Sequence, residues 1–339
     1  MKATFEHVEH PLEHPFTIAR GTQTTARSVV VRLEHGGTVG VGGANPASHY
    51  GETPETVAAV LPRLFDALPD DPLALQRADE AMHARVRDNP AAKAAVDIAL
   101  HDLAAKTLDV PLYRLLGLDP ERTLTSSFTI GLADIDEMRE KTEAAVDAGY
   151  SVLKVKVGTG RDEAVVRTVR EAAPSARIRV DANEDWTPKE AVQTIEAIAD
   201  YDVEFVEQPV PAEDPAGLRY VYERSPLPIA ADESCITLPD IPAIADRADI
   251  AVLKLMKTGG IREAVRMVHA ARAHGLEVML GCMTGTNAAM AAACHLAPLL
   301  DYADLDGSLL LAEDTFAGVP MPGGRIDLPD RPGTGARER

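Results

Sequence analysis

Apolar positions fall in two rhythms along this chain. Residues 1 to about 50 alternate apolar and polar as strands do, most clearly in Ser28-Val29-Val30-Val31-Arg32-Leu33 ahead of the turn pair Gly36-Gly37. From Thr53 to about Leu116 the spacing turns helical, with breaks at residues 69–72 and at Asn89-Pro90. Strands followed by helices predict an α+β unit over residues 1–123. From about Leu124 short apolar runs alternate with helical stretches such as Glu137 to Ala148 and Glu263 to His274. The runs are 124–130, 152–157, 178–182, 203–207, 227–232, 250–255, 277–281 and 302–306. Eight such strands close a parallel barrel, so residues 124–307 predict an α/β (β/α)8-type barrel. The last strand lacks a following helix, which makes the form (β/α)7β. Residues 308–339 then read as a Pro/Gly-rich segment returning to the first domain, with 331–339 frayed.

Charged residues end the middle runs. Lys154 and Lys156 lie in LKVKVG, Asp181 in IRVDAN, Glu207 in EFVEQP, Asp232 in PIAADES and Lys254 in IAVLKLMKTGG. From Lys156 onward they stand 22 to 26 residues apart, the length of one strand-helix repeat. Consecutive strands therefore deliver one chemical group each to the C-terminal rim, where barrels build active sites.

Composition narrows the classes. The chain has 339 residues and a net charge of −19, which argues against a nucleic acid or an acidic membrane surface as partner. Its three cysteines, Cys235, Cys282 and Cys294, include no C-x-x-C pair; a disulfide framework is not expected and a cytoplasmic setting is. No run of about 20 uninterrupted apolar residues suggests a membrane span. The stretch from Ala288 to Leu300, broken by His295 and Pro298, reads as a buried helix.

The rim chemistry is specific as a set. Neighbouring parallel strands are about 4.8 Å apart, so Asp181, Glu207 and Asp232 can converge on one hard cation. Mg²⁺ takes few carboxylates and leaves room for substrate and water. The absence of His or Cys on this stretch disfavours zinc. Lys154 and Lys156 are spaced i, i+2 and point to one side. Two such ammonium groups should depress each other's pKa, giving a neutral base near pH 7. Lys254 ends the sixth strand, across the mouth from the second. Two bases facing each other over a metal-polarised substrate suit removal and return of a proton α to a carboxylate.

Together the motifs K-x-K (Lys154, Lys156), D-A-N (Asp181 to Asn183), E-Q-P (Glu207 to Pro209), D-E-S (Asp232 to Ser234) and K-x-x-K-x-G-G (Lys254 to Gly260) resemble the enolase superfamily, in its muconate-lactonising-enzyme-like subgroup. Sites of that superfamily pair a Lys or His base with one or two Mg²⁺ ions. The resemblance implies a modified barrel under an N-terminal capping domain and one Mg²⁺ per subunit. It implies Asp181, Glu207 and Asp232 as metal ligands and Lys156 and Lys254 as bases. It also implies Lys154 on the substrate carboxylate, Glu233 in support of the sixth-strand base and Asn183 within the site. A homo-oligomer is the default expectation from the same source.

Asp304-Leu305-Asp306 puts two carboxylates on one face after the eighth strand, where they could hold an ammonium group. This is similar to the D-x-D motif of the family's dipeptide epimerases, which implies a small dipeptide substrate with L-Ala-D/L-Glu leading. Arg20, in a segment resembling the loop that closes over the barrel, is the candidate partner for a glutamate side chain; Arg27 or a structural role are the alternatives. Met283 and Thr284 are further pocket candidates. Gly285 stands where many subgroup members carry a Glu, which leaves the side-chain preference open. An N-acylamino acid racemase, an o-succinylbenzoate synthase or a muconate cycloisomerase would use the same site without a free ammonium to bind. A Schiff-base aldolase would need one buried Lys but no acid triad.

Overall fold

The computed structural model describes all 339 residues. Strands β1 (Lys2–Ile18), β2 (Gly21–His35) and β3 (Thr38–Ala44) form an antiparallel sheet in that order. Its inner face, which includes Val29, Val31 and Leu33, is buried against helices Pro54–Phe65 and Pro90–Thr107. Each such side chain removed from water contributes about 1.5–3 kcal/mol. The helix Pro90–Thr107 is buried along nearly all its length, from Ala91 to Ala105. Its sequence is Ala-rich, and the acids it buries are partnered, Asp97 by the Ile261 N–H and Asp102 by the Val41 N–H. Glycines on β3 permit its close approach, because a Cβ on Gly40 or Gly42 would collide with the helix backbone at Ala99 and Ala95.

The barrel follows. Strands β4 (Phe128–Ile130), β5 (Val152–Lys156), β6 (Arg177–Asp181), β7 (Val203–Glu207), β8 (Ile229–Ala231), β9 (Ile250–Lys254), β10 (Glu277–Gly281) and β11 (Tyr302–Ala303) pair in parallel, in chain order. Ser126 bridges Ala303 in parallel, and Ser127 N–H donates to the Ala303 carbonyl at 3.0 Å, so β11 returns to the start of the ring. Helices follow the first seven strands and none follows β11. The fold is a TIM-type barrel beneath an N-terminal cap. Below the rim the barrel is plugged. The Arg179 guanidinium lies over the rings of Phe205 (5.3 Å) and Tyr302 (5.1 Å) and donates to Glu204 and to the Ala303 carbonyl. Ligands therefore enter only from the C-terminal mouth.

The C-terminal segment corrects one expectation. Residues 331–339 are not frayed. Strand β13 (Arg337–Glu338) pairs with β12 (Phe316–Ala317), and Thr334 is fully buried. Asp102, in the buried cap helix, accepts the Thr334 N–H at 2.7 Å, and Glu338 pairs with Arg32 of β2. The Pro/Gly/Arg composition conceals this, because one buried aspartate does the holding. No helix is long and apolar enough to cross a membrane.

Candidate active site

Each rim residue stands at the tip of an apolar strand, where the next residue leaves the sheet. Asp181 and Glu207 are the last residues of β6 and β7, and Asp232 follows β8 directly; all three are fully buried. The sheet register sets Lys156 beside Asp181 and Asp181 beside Glu207. Lys156 ends β5 and Lys254 ends β9, four strands apart in a ring of eight. They face each other across a cavity of about 590 Å³ that both of them line.

Lysines and acids interlock. Lys154 Nζ lies 3.0 Å from Asp181, 2.8 Å from Glu207 and 2.8 Å from Asp304. Lys156 Nζ donates to Asp181 Oδ2 at 2.6 Å and to Asn183 Oδ1 at 3.0 Å, while Asn183 N–H donates to Asp181 Oδ1. Lys254 Nζ donates to Asp232 Oδ2 at 2.6 Å. The expected mutual depression of the lysines is reversed at Lys154. Burial alone would lower it, but Asp181, Asp304 and Glu207 outweigh burial and hold it well above the ordinary lysine value. Lys254 is likewise raised against the pull of burial, chiefly by Asp232. The sequence spacing showed the like charges and not the number of acids between them.

The three acids suit a hard cation. They offer oxygen alone, from three successive strands. Glu207 is the telling member: buried, it accepts a hydrogen bond at neither oxygen, and Lys154 approaches it out of hydrogen-bond alignment. Burial and the neighbouring Asp181 raise Glu207 well above the usual carboxyl range. The lysines, against burial, hold Asp181 and Asp232 below that range. An orphaned buried carboxylate beside two ionised ones is a site short of positive charge.

Other candidates divide. Asp304 is occupied, accepting from Ser127 Oγ at 2.7 Å and from Lys154 at 2.8 Å, and it is held low against burial by Lys154. Asp306 has no lysine; Thr129 N–H donates to it at 2.7 Å. Burial, then Asp304, push Asp306 up to about 6. Cys282, Met283 and Thr284 line the cavity, and Cys282 Sγ stands 3.9 Å from Asp306. Arg20 also lines it, yet its guanidinium is engaged by Glu233 at 2.8 Å and by Glu184 at 3.2 Å. Glu233 thus turns toward the cap loop and Asn183, and burial, then Asp232, raise its carboxyl. His49, Glu184 and Glu233 cluster closely enough to suggest a second cation site, but Arg20 already supplies their positive charge. At Gly285 a Cβ would run into the side chain of Asn45, the residue after β3, so the cap fills the space a Glu would need.

One residue escaped the sequence reading. Lys257, fully buried, donates to Asp232 Oδ1 at 2.5 Å and to the Asp232 carbonyl. Its signal was present, as the second lysine of K-x-x-K-x-G-G. Tyr50 reaches the cavity from the cap, with a buried hydroxyl that has no partner.

The family profile described as "Enolase C-terminal domain-like" matches residues 137–337, and that of the "Mandelate racemase / muconate lactonizing enzyme, N-terminal domain" matches residues 1–117. An L-Ala-D/L-Glu epimerase of Bacteroides thetaiotaomicron is 40% identical over 99% of this chain and 87% of its own length. An L-Ala-D/L-amino acid epimerase of Pedosphaera parvula is 38% identical over 98% of this chain and 97% of its own. The crystal structure of a dipeptide epimerase from Enterococcus faecalis, complexed with Mg and L-Leu-L-Tyr, superposes with a TM-score of 0.95 at 36% identity, covering 99% of this chain and 98% of that one. The chain belongs to the mandelate racemase/muconate lactonizing enzyme family of the enolase superfamily.

Proposed function

We propose that this chain is a Mg²⁺-dependent dipeptide epimerase, with L-Ala-D/L-Glu as leading substrate, that inverts the α-carbon of the second residue. The chain is an isomerase acting on dipeptides, as its named relatives are. The observation that carries the finer reading is the opposition of Lys156 and Lys254 across one cavity.

Asp181, Glu207 and Asp232 would hold one ion. A divalent cation there would take up the carboxylate charge that now favours ammonium at Lys254, and offset charge on the substrate carboxylate. One lysine then removes the α-proton as a neutral amine, and the opposite lysine, as ammonium, returns a proton to the other face. Lys154 directs the substrate carboxylate, Asn183 orients Lys156, and Lys257 fixes Asp232. Asp306, with Asp304, offers the negative charge that a free α-ammonium group needs. Their presence favours a dipeptide over the N-acylated or cyclic substrates of related reactions.

The test is exchange. Incubated with Mg²⁺ and L-Ala-L-Glu in D₂O, the protein replaces the α-proton of the second residue and the L,D diastereomer appears by NMR. A protein that leaves that proton in place on every dipeptide offered sinks the reading.

A further inference from the structure

Gln208 follows Glu207, the last residue of β7, and is fully buried. Its side-chain amide makes every bond it can. Oε1 accepts the Asp232 N–H at 2.9 Å and the Ser234 N–H at 3.1 Å. Nε2 donates to the Val210 carbonyl at 2.9 Å and to Ser234 Oγ at 2.8 Å. Two N–H groups need an acceptor and a carbonyl needs a donor, so the amide fits only one way round. The main chain is held as firmly. Gln208 N–H donates to the Ala230 carbonyl of β8 at 2.8 Å, and the Gln208 carbonyl accepts the Glu184 N–H at 2.9 Å. Its φ of 36° lies in the left-handed region, which a residue other than glycine keeps only where its surroundings impose it.

These bonds tie three strand ends together at one residue, and their consequence rests on the metal reading of Asp181, Glu207 and Asp232 above. Gln208 is joined covalently to Glu207. Through Oε1 it holds the Asp232 N–H, while Lys257 holds the Asp232 carbonyl. Through its own carbonyl it holds Glu184, in the loop that follows Asp181. Gln208 uses none of the three acids' carboxylate oxygens, so it fixes the backbones and leaves the oxygens to a cation. A fixed spacing suits one ionic size. Mg²⁺ sits about 2.0–2.1 Å from its oxygens and tolerates little distortion, whereas Ca²⁺ sits at about 2.3–2.6 Å and accepts loose, irregular sets.

We infer that Gln208 is a positioning residue that sets the spacing between Glu207 and Asp232, and thereby the preference of the site for Mg²⁺ over Ca²⁺. Loosening the clasp weakens binding of the small ion more than that of the large one. Glutamine suits the task by chemistry. Asparagine is one carbon shorter, and an ionised glutamate has no donor for the Val210 carbonyl.

The test is calorimetric titration of the wild type, Gln208→Met and Ser234→Ala with Mg²⁺ and with Ca²⁺, in the absence of substrate. Gln208→Met keeps the length of the side chain and loses all four amide bonds. Ser234→Ala removes only the bond to Ser234 Oγ, and it reads the same clasp should the first variant not fold. In Gln208→Met the Mg²⁺ affinity should fall about 10- to 100-fold and the Ca²⁺ affinity less than about threefold. In Ser234→Ala the preference for Mg²⁺ should narrow about threefold. A purely structural role would lower stability and leave the ratio of the two affinities where it was. An unchanged or widened ratio in Gln208→Met, or in Ser234→Ala if that variant alone folds, overturns the inference. So does a wild type that binds Ca²⁺ as tightly as Mg²⁺, and the metal reading then still stands. A wild type that binds neither ion sinks the metal reading itself.

Discussion

The two lysine pairs of this site look alike in sequence and are built differently. On the β5 flank one lysine serves several acids: Lys154 touches Asp181, Glu207 and Asp304, and shares only Asp181 with Lys156. On the β9 flank one acid serves two lysines: Lys254 and Lys257 both close on Asp232. The β9 flank is also tied to the cap. Asp97 of the buried cap helix accepts the Ile261 N–H at 2.6 Å, just past the Leu255–Thr258 turn, and Asn45 N–H meets Met256 Sδ at 3.1 Å. The difference teaches that motif spacing does not reveal division of labour. One flank spreads a charge over exchangeable partners; the other pins one ligand in place.

The largest expected effect removes either base. Lys156→Ala and Lys254→Ala should each slow epimerisation by about 10²- to 10⁴-fold. If the bases serve opposite faces, each variant still exchanges the α-proton of one diastereomer in D₂O, and the two variants keep opposite ones. Epimerisation at the full rate in either variant would break the pairing of the flanks.

Metal affinity tests the division of labour directly. Lys257→Met frees Asp232 Oδ1 and strands its carbonyl, so Mg²⁺ affinity should fall about 10- to 100-fold, as for other residues that orient a metal ligand. Lys154→Met removes a charge that competes for Asp181 and Glu207, and affinity should not fall. Calorimetric titration of the purified variants with Mg²⁺ reads this without turnover. Equal losses in the two variants would show that the flanks are not different after all.

These lysines also show what the sequence could reveal. Asp181, Glu207, Asp232, Lys156 and Lys254 were legible because each ends an apolar run, and strand period and repeat length do the rest. The eight strands were legible for the same reason. Lys257 was visible as a motif letter, but nothing local says that its amine turns back to the preceding strand's acid. Tyr50, Asn45 and Arg20 come from the cap, and no periodicity along the barrel encodes what descends onto it. The pKa direction at Lys154 failed because it depends on three acids brought from β6, β7 and β11.

The two aspartates beyond β11 extend the contrast to pH. Asp304 has a lysine and ionises early; Asp306 has none and titrates near 6. Being raised, Asp306 favours the folded chain while protonated, at acid pH, and that contribution is lost as pH rises through about 6. Its service to a substrate ammonium runs the other way, present above about 6 and lost below. The kcat/KM profile should therefore carry an acid limb near 6, moved to lower pH in Asp304→Asn, where the repelling neighbour is gone. A limb that stays put in that variant would assign the titration elsewhere.

The smallest effect concerns how the cap holds the β9 and β10 side of the mouth. Gly285 has no room for a Cβ because the Asn45 side chain occupies it, and Ser28 Oγ donates to Asn45 Oδ1 at 2.7 Å, fixing it there. Gly285→Ala should therefore cost about 1 kcal/mol in denaturant unfolding, at the low end for overpacking. Asn45→Ala opens a gap and loses that hydrogen bond, about 1 kcal/mol again. In the double variant the new methyl enters the vacated space, so the two costs should not add; residues in contact couple by about 0.5 kcal/mol or more. Strict additivity would mean that Gly285 is small for some reason other than the cap, and the cap's hold on this flank would then rest on Asp97 and on the Asn45 backbone N–H at Met256.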